Sequence, residues 1–227
     1  MKKRACFICG TDTDIGKSII TAGLLRCMPE ARAIKVVQTG SALIDQNVYQ
    51  QAAPRSEVKT LKHFQLAASP HLAAKLESLV LNLDDLYLAI EAEVARPGLT
   101  LLETSGGICT PLNFEETFLD LMAGLDYPVV LVAANKVGAI NQALLSIAAL
   151  RQKQLIIAGL IFTQARHDLN PLIAADNADM IQHLGKLPVL ASIPYIPSLQ
   201  NPAPPDEAWD ELASYLRNAT KELLTDN

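Results

Sequence analysis

The chain of 227 residues has no run of about 18 uncharged apolar residues, which excludes a membrane-spanning helix. Basic residues are in the minority, 19 Lys and Arg against 24 Asp and Glu, for a formal net charge of −5. Such a balance offers no basic face, so neither nucleic acid nor acidic lipid is expected as a partner. Cysteine is scarce as well. Cys6, Cys9, Cys27 and Cys109 sit in apolar contexts, as expected of reduced core thiols. Cys6 and Cys9 point to opposite faces of a strand, and no second pair completes a zinc site. The four histidines, His63, His71, His167 and His183, have neither ligand spacing nor an obvious Ser or Cys nucleophile, and are expected on surfaces or at helix starts. With no repeat and no low-complexity linker, residues 1–227 are expected to form a single domain. The opening "MKKRACFICG" passes too quickly from charge to loop for a secretory signal, so a cytoplasmic location is expected.

What the chain does have is apolar residues, 50% of the total, arranged as short runs alternating with helix-length amphipathic segments. That alternation predicts an α/β fold with a mostly parallel central sheet and helices on both faces. Strands are expected at Ala5 to Cys9, Ala33 to Val37, Leu99 to Glu103, Val129 to Ala133, Ile156 to Phe162 and Val189 to Ile193. Helices are expected at Lys17 to Cys27, Leu83 to Ala95, Phe114 to Ala123, Asn141 to Gln152, Pro171 to Leu184 and Asp206 to Leu224. Ser41 to Ser69 is the least regular stretch, and "PSLQNPAPPDE" reads as a proline-rich loop. Ligands of such sheets gather at the carboxyl ends of the strands.

Three strand ends carry chemistry. "GTDTDIGKS" (Gly10 to Ser18) follows the first strand and opens the first helix, the context of a phosphate-binding loop. Its first glycine stands one residue earlier than the usual Gly, any four, Gly-Lys-Ser/Thr pattern requires. Lys17 would reach the β- and γ-phosphates of a nucleotide, and Ser18 would offer its hydroxyl to Mg²⁺. Thr11, Asp12 and Thr13 could face a second ligand beyond the γ-phosphate, or could close the turn by local hydrogen bonds. Lys35 lies inside the apolar run "IKVVQTG", where a lysine needs an anionic partner, with Thr39 and Gly40 lining the mouth. Glu103 ends the third run in "LTLLETSGG", an acid placed to hold Mg²⁺ directly or through water, and Gly106 and Gly107 let backbone approach a ligand.

With "SPHLAA", "VLVAANKVGAINQALLS" and "IPYI" added in order, the chain resembles the dethiobiotin synthetases from Arg4 to about Ile196. The resemblance implies a homodimeric P-loop enzyme of biotin biosynthesis that uses ATP and Mg²⁺ to carboxylate 7,8-diaminopelargonate and close its ureido ring. By position, Asp14, Ile15, Gly16, Lys17 and Ser18 look like the nucleotide loop, with Gly106 close to the phosphates. Lys17 and Lys35 look like the catalytic cations, and Thr13 and Thr39 like contacts to the diamine. Asn141, in "GAIN", resembles the segment that reaches across a dimer to the substrate carboxylate. Thr163, Gln164, Pro194, Tyr195 and Ile196 fall where the family frames the base. The implied metal residues are Ser18, Glu103 and Asn47, the last being where the family has an aspartate; a shifted loop would put Asp45 there instead.

The sequence departs from the family's pattern at Val36 for proline, at Thr104 and Ser105 for small residues, and at Thr163 for the asparagine that reads adenine. A threonine hydroxyl has one donor and cannot make an amide's paired contacts, so weak discrimination among bases is expected. Three rivals remain at this point. An amidotransferase-like cobyrinic acid synthase domain would need a Cys-His glutaminase segment. A partition-type ATPase would carry a lysine five residues before the loop lysine, where Asp12 stands. A catalytically weakened paralogue would keep the fold and bind nucleotide as a module.

Overall fold

The computed structural model describes residues 5–41, 44–165 and 170–224. Seven parallel strands form one sheet in the order β3-β2-β4-β1-β5-β6-β7. They are β1 (Ala5–Gly10), β2 (Arg32–Thr39), β3 (Val58–Phe64), β4 (Thr100–Glu103), β5 (Val129–Ala134), β6 (Ile157–Thr163) and β7 (Val189–Ile193). The helices are α1 (Lys17–Cys27), α2 (Asp45–Ala52), α3 (Pro70–Leu76), α4 (Leu83–Val94), α5 (Phe118–Leu125), α6 (Ala139–Gln152), α7 (Pro171–Gly185) and α8 (Asp206–Leu224).

Strand periodicity divides the core. Phe7 and Cys9 of β1 join Leu86, Ile90, Phe118 and Ile147 on one side of the sheet, while Cys6 and Ile8 join Leu24, Tyr49, Trp209 and Leu212 on the other. Helices α1, α2 and α8 therefore share one face, and α4 to α7 the other. Cys6 and Cys9 do sit on opposite faces, fully covered, and burial raises both thiols, Cys6 to about 12. Two cysteines do not fit the expectation of core thiols: Cys109 is exposed and Cys27 only half-buried.

The stretch from Ser41 to Ser69 is more regular than its sequence suggests, since it contains α2 and β3. As the sheet's edge, β3 buries little, and its "VKTLKHF" exposes Lys59, Lys62 and His63, so it lacks the apolar run that marks a covered strand. Helix α5 begins at Phe118, not Phe114. Asn113 Oδ1 accepts the amides of Glu115 and Glu116 in a turn, and Asp120 caps the helix by accepting the amide and hydroxyl of Thr117. His71 opens α3 with its ring against the Ser69 hydroxyl, and His167 lies outside the described residues.

Candidate functional site

The displaced glycine of the loop has a local cause. A Cβ on Gly10 would stand 2.8 Å from Ile15 Cδ1 and 2.9 Å from Lys17 Cδ, so the lysine can fold back along the end of β1 only over a bare backbone. Asp14 (φ 53°) and Gly16 (φ 87°) are both left-handed, and Gly16 is the N-cap of α1. The loop thus turns its backbone at the amino end of a helix, where N–H groups and the helix dipole favour an anion. Lys17 Nζ donates to the Asp12 carbonyl at 2.8 Å and arches over the loop. Burial pushes its pKa down, with only part of that offset by Glu103. The Thr13 amide donates to Asp12 Oδ1 at 2.7 Å, so Asp12 closes the turn, whereas Thr13 and Asp14 are exposed and line the cleft. The Thr11 hydroxyl is buried instead of facing that cleft.

Beneath the loop lies an ionic cluster set by strand order. Because β2 pairs with β4, Lys35 and Glu103 are register partners on neighbouring strands and their side chains meet. Lys35 Nζ is 2.7 Å from Glu103 Oε1 and 2.6 Å from Asp45 Oδ2. Burial pushes the Lys35 pKa down, and Glu103 and Asp45 more than reverse this, leaving it above the ordinary lysine value. Ser18 Oγ stands 2.8 Å from Asp45 Oδ1 and 2.8 Å from Glu103 Oε1, and Thr21 donates to Glu103 Oε2 at 2.5 Å. A serine has one proton and cannot donate to two carboxylates at once.

Two carboxylates converging on one hydroxyl are the donors a hard divalent cation takes. Among the described residues no group of three or more His, Cys, Asp or Glu is placed to hold a metal by itself. That suits Mg²⁺, which combines one or two carboxylates with substrate phosphates and water, better than a cation needing a full protein cage. The residues therefore fit Mg²⁺. In this register Asp45, in the first turn of α2, points into the cluster, and Gln38 Oε1 accepts its amide at 3.2 Å. Asn47 is exposed at the rim of the cleft, two residues and about 200° further round the helix. Gln38, Thr21 and Tyr49 went unnoticed in the sequence; Val48, Tyr49 and Ala52 mark the inner face of α2, and Asp45 is one turn before Tyr49.

A cleft of about 1040 Å³ runs from this cluster along the carboxyl edge of the sheet, a size suited to a nucleotide with a second small ligand. Thr39, Gly40, Ser105 and Gly106 line one end, and Thr163, Gln164, Pro194, Ile196 and Trp209 the other. Gly106 (φ 66°) is irreplaceable in that turn, since a Cβ would meet Thr110 Oγ1 at 2.3 Å. The Ser105 hydroxyl is taken by the Val37 carbonyl. Tyr195 is half-buried and outside the lining, and Asn141 is exposed in the first turn of α6, also outside it. Thr163 donates its hydroxyl to the Ile15 carbonyl at 2.6 Å. Its single proton is thereby committed to holding the loop against β6. Thr163→Val is expected to cost about 1 to 2 kcal/mol in thermal unfolding and to raise the KM for ATP several-fold, with unchanged selectivity among ATP, GTP and CTP. Parallel melting and competition assays check both halves.

A parallel sheet with a phosphate loop after its central strand, a buried lysine and an acid at the next strand end define a P-loop α/β protein built to handle a nucleoside triphosphate. The family model described as an AAA domain matches residues 4–203. The solved MinC:MinD cell division protein complex of Aquifex aeolicus shares the fold at TM-score 0.60 and 12% identity, over 99% of this chain and 96% of that one. The ATP-dependent dethiobiotin synthetase BioD of Halalkalibacterium halodurans is 34% identical over 86% of each chain. That of Lawsonia intracellularis is 32% identical over 85% of this chain and 89% of its own. The chain belongs to the dethiobiotin synthetase family.

Proposed function

We propose that the chain is an ATP-dependent dethiobiotin synthetase, a cyclo-ligase of biotin biosynthesis. The observation that carries the reading is the cluster of Lys17, Lys35, Ser18, Asp45 and Glu103 at the mouth of a cleft large enough for ATP and the diamine together. One amine of 7,8-diaminopelargonate takes up CO₂ and loses a proton, giving a carbamate. A carbamate oxygen attacks the γ-phosphorus, ADP leaves, and a carbamic-phosphoric anhydride forms. The second amine attacks the carbonyl carbon, loses a proton and expels phosphate, closing the ureido ring.

The difficulty of this sequence is that a carbamate must be brought against a triphosphate. Lys17 and the loop amides hold the phosphates, and Lys35, beside the loop, turns from its two carboxylates toward the charge that develops between carbamate and γ-phosphate. Ser18, Asp45 and Glu103 would hold Mg²⁺, which would supply charge neutralisation for the phosphates. Thr13 and Thr39, on the cleft wall, suit the polar groups of the diamine. Asn141, exposed in the first turn of α6, is accessible for the contact across a homodimer to the substrate carboxylate that the family resemblance implies. Gln164, Pro194 and Ile196 frame the base by backbone and apolar contact. Tyr195 stands outside the lining of the cleft, and Asp45 takes the metal role that the family resemblance implied for Asn47. No helix among the described residues is long and apolar enough to cross a membrane. A cytoplasmic location is part of the proposed reading.

The test is to mix protein, diamine, bicarbonate, Mg²⁺ and ATP and to follow dethiobiotin by mass together with phosphate. Equal amounts of the two are expected. Phosphate without dethiobiotin would mark an ATPase switch, and neither product would mark a nucleotide-binding module.

A further inference from the structure

Tyr49 is fully buried on the inner face of α2, four residues after Asp45 and so on the same side of the helix. Its ring packs in the core formed with α1 and α8, a task phenylalanine would do as well. The hydroxyl is what needs explaining, because it is buried with no hydrogen bond of good geometry although Glu103 and Ser18 lie beside it. The groups that bear on it are Glu103, Asp45 and Ser18, the set that faces the proposed Mg²⁺.

That set is short of protons. Glu103 and Asp45 both stand against Ser18 Oγ, which can satisfy one of them, and both also share Lys35. When Ser18 and Lys35 turn toward cation and phosphates, Glu103 keeps Thr21 and loses its other donors. A phenol is protonated at neutral pH and brings one uncommitted proton to this place. We propose that Tyr49 is a positioning residue of the metal site, donating to Glu103 once metal and nucleotide are bound and so holding that carboxylate in its working orientation.

The inference rests on the Mg²⁺ reading above, and its test separates the two. Binding of Mn²⁺ in the presence of a non-hydrolysable ATP analogue is measured by electron paramagnetic resonance for the wild type and Tyr49→Phe, with thermal melts of both proteins free of metal and nucleotide. The variant is expected to bind Mn²⁺ about five- to tenfold more weakly, as loss of one hydrogen bond to a charged group predicts. Its metal-free melting temperature is expected to be unchanged or higher, since an orphaned buried hydroxyl has been removed. Equal Mn²⁺ affinity in the two proteins overturns the role of Tyr49, as does a lower metal-free melting temperature without a change in Mn²⁺ binding. Failure of the wild type to bind Mn²⁺ with the analogue overturns the metal site and Tyr49 together.

Discussion

Lys35→Met is expected to lower turnover at least about a hundredfold while leaving Mg²⁺ binding as tight as before or tighter. Lys35 is buried between Asp45 and Glu103 and serves as their resident cation. For the lysine to stabilise charge at the γ-phosphate it must leave them, which it can do only if another cation takes its place. On the proposed mechanism metal and lysine compete for the same two carboxylates, and removing the lysine relieves the metal of that competition. What is lost is a preorganised positive charge at the reacting oxygens, where one such group is worth about 3 to 4 kcal/mol. Lys17→Ala is expected to lose at least as much turnover, but with weaker nucleotide binding, because Lys17 lies over the phosphate loop and touches neither acid. Without metal, Lys35→Met leaves the buried Glu103 and the partly buried Asp45 without their cation, and breaking a buried pair costs about 3 to 5 kcal/mol. Melting with and without Mg²⁺ should therefore show a variant much less stable than wild type that Mg²⁺ largely restores. Near-normal turnover in the folded variant would remove Lys35 from the chemistry.

Why the sheet's centre was legible and its edge was not follows from burial. Strands β1, β4 and β5 are covered on both faces and spell out apolar runs, so their ends, and with them the phosphate loop and Glu103, could be placed from sequence. Strand β3 is half in water and spells an alternating, charged segment. Helix α2, "DQNVYQQA", has only eight residues, of which Tyr49 and Ala52 are buried, too few for an amphipathic period to declare itself. The contact of Lys35 with Glu103 was illegible for another reason. It depends on β2 lying beside β4 with β1 beyond, a non-sequential strand order that no local pattern encodes. The position of Thr163 in the chain points to the base. Its side chain is spent on the Ile15 carbonyl, a partner 148 residues away.

The register of α2 carries the last expected result: Asp45→Asn raises the Mg²⁺ concentration for half-maximal activity at least about tenfold, while Asn47→Asp moves it less than about twofold. A unit charge about 4 Å from a cation at an effective dielectric near 20 is worth on the order of 4 kcal/mol per cation charge, of which about 1 to 3 survive desolvation. Asp45 supplies that charge, with Oδ1 against Ser18 and Oδ2 against Lys35. An asparagine keeps one carbonyl oxygen for the metal or its waters and loses the charge. The helix itself should survive, because the bond to Gln38 is made by the backbone amide of residue 45, and an acid at the first turn of a short helix adds only about 0.3 to 1 kcal/mol. Asn47 faces solvent at the cleft rim, about half a turn round α2 from Asp45, where an added carboxylate is screened. The role that the family resemblance implies for Asn47 makes the opposite forecast, a gain in Asn47→Asp and no change in Asp45→Asn. Mg²⁺ titrations of activity in the two variants decide between them, with circular dichroism on each to confirm that α2 is intact. A tenfold shift confined to Asp45→Asn fixes the aspartate in the first turn of α2 as the second carboxylate of the metal site.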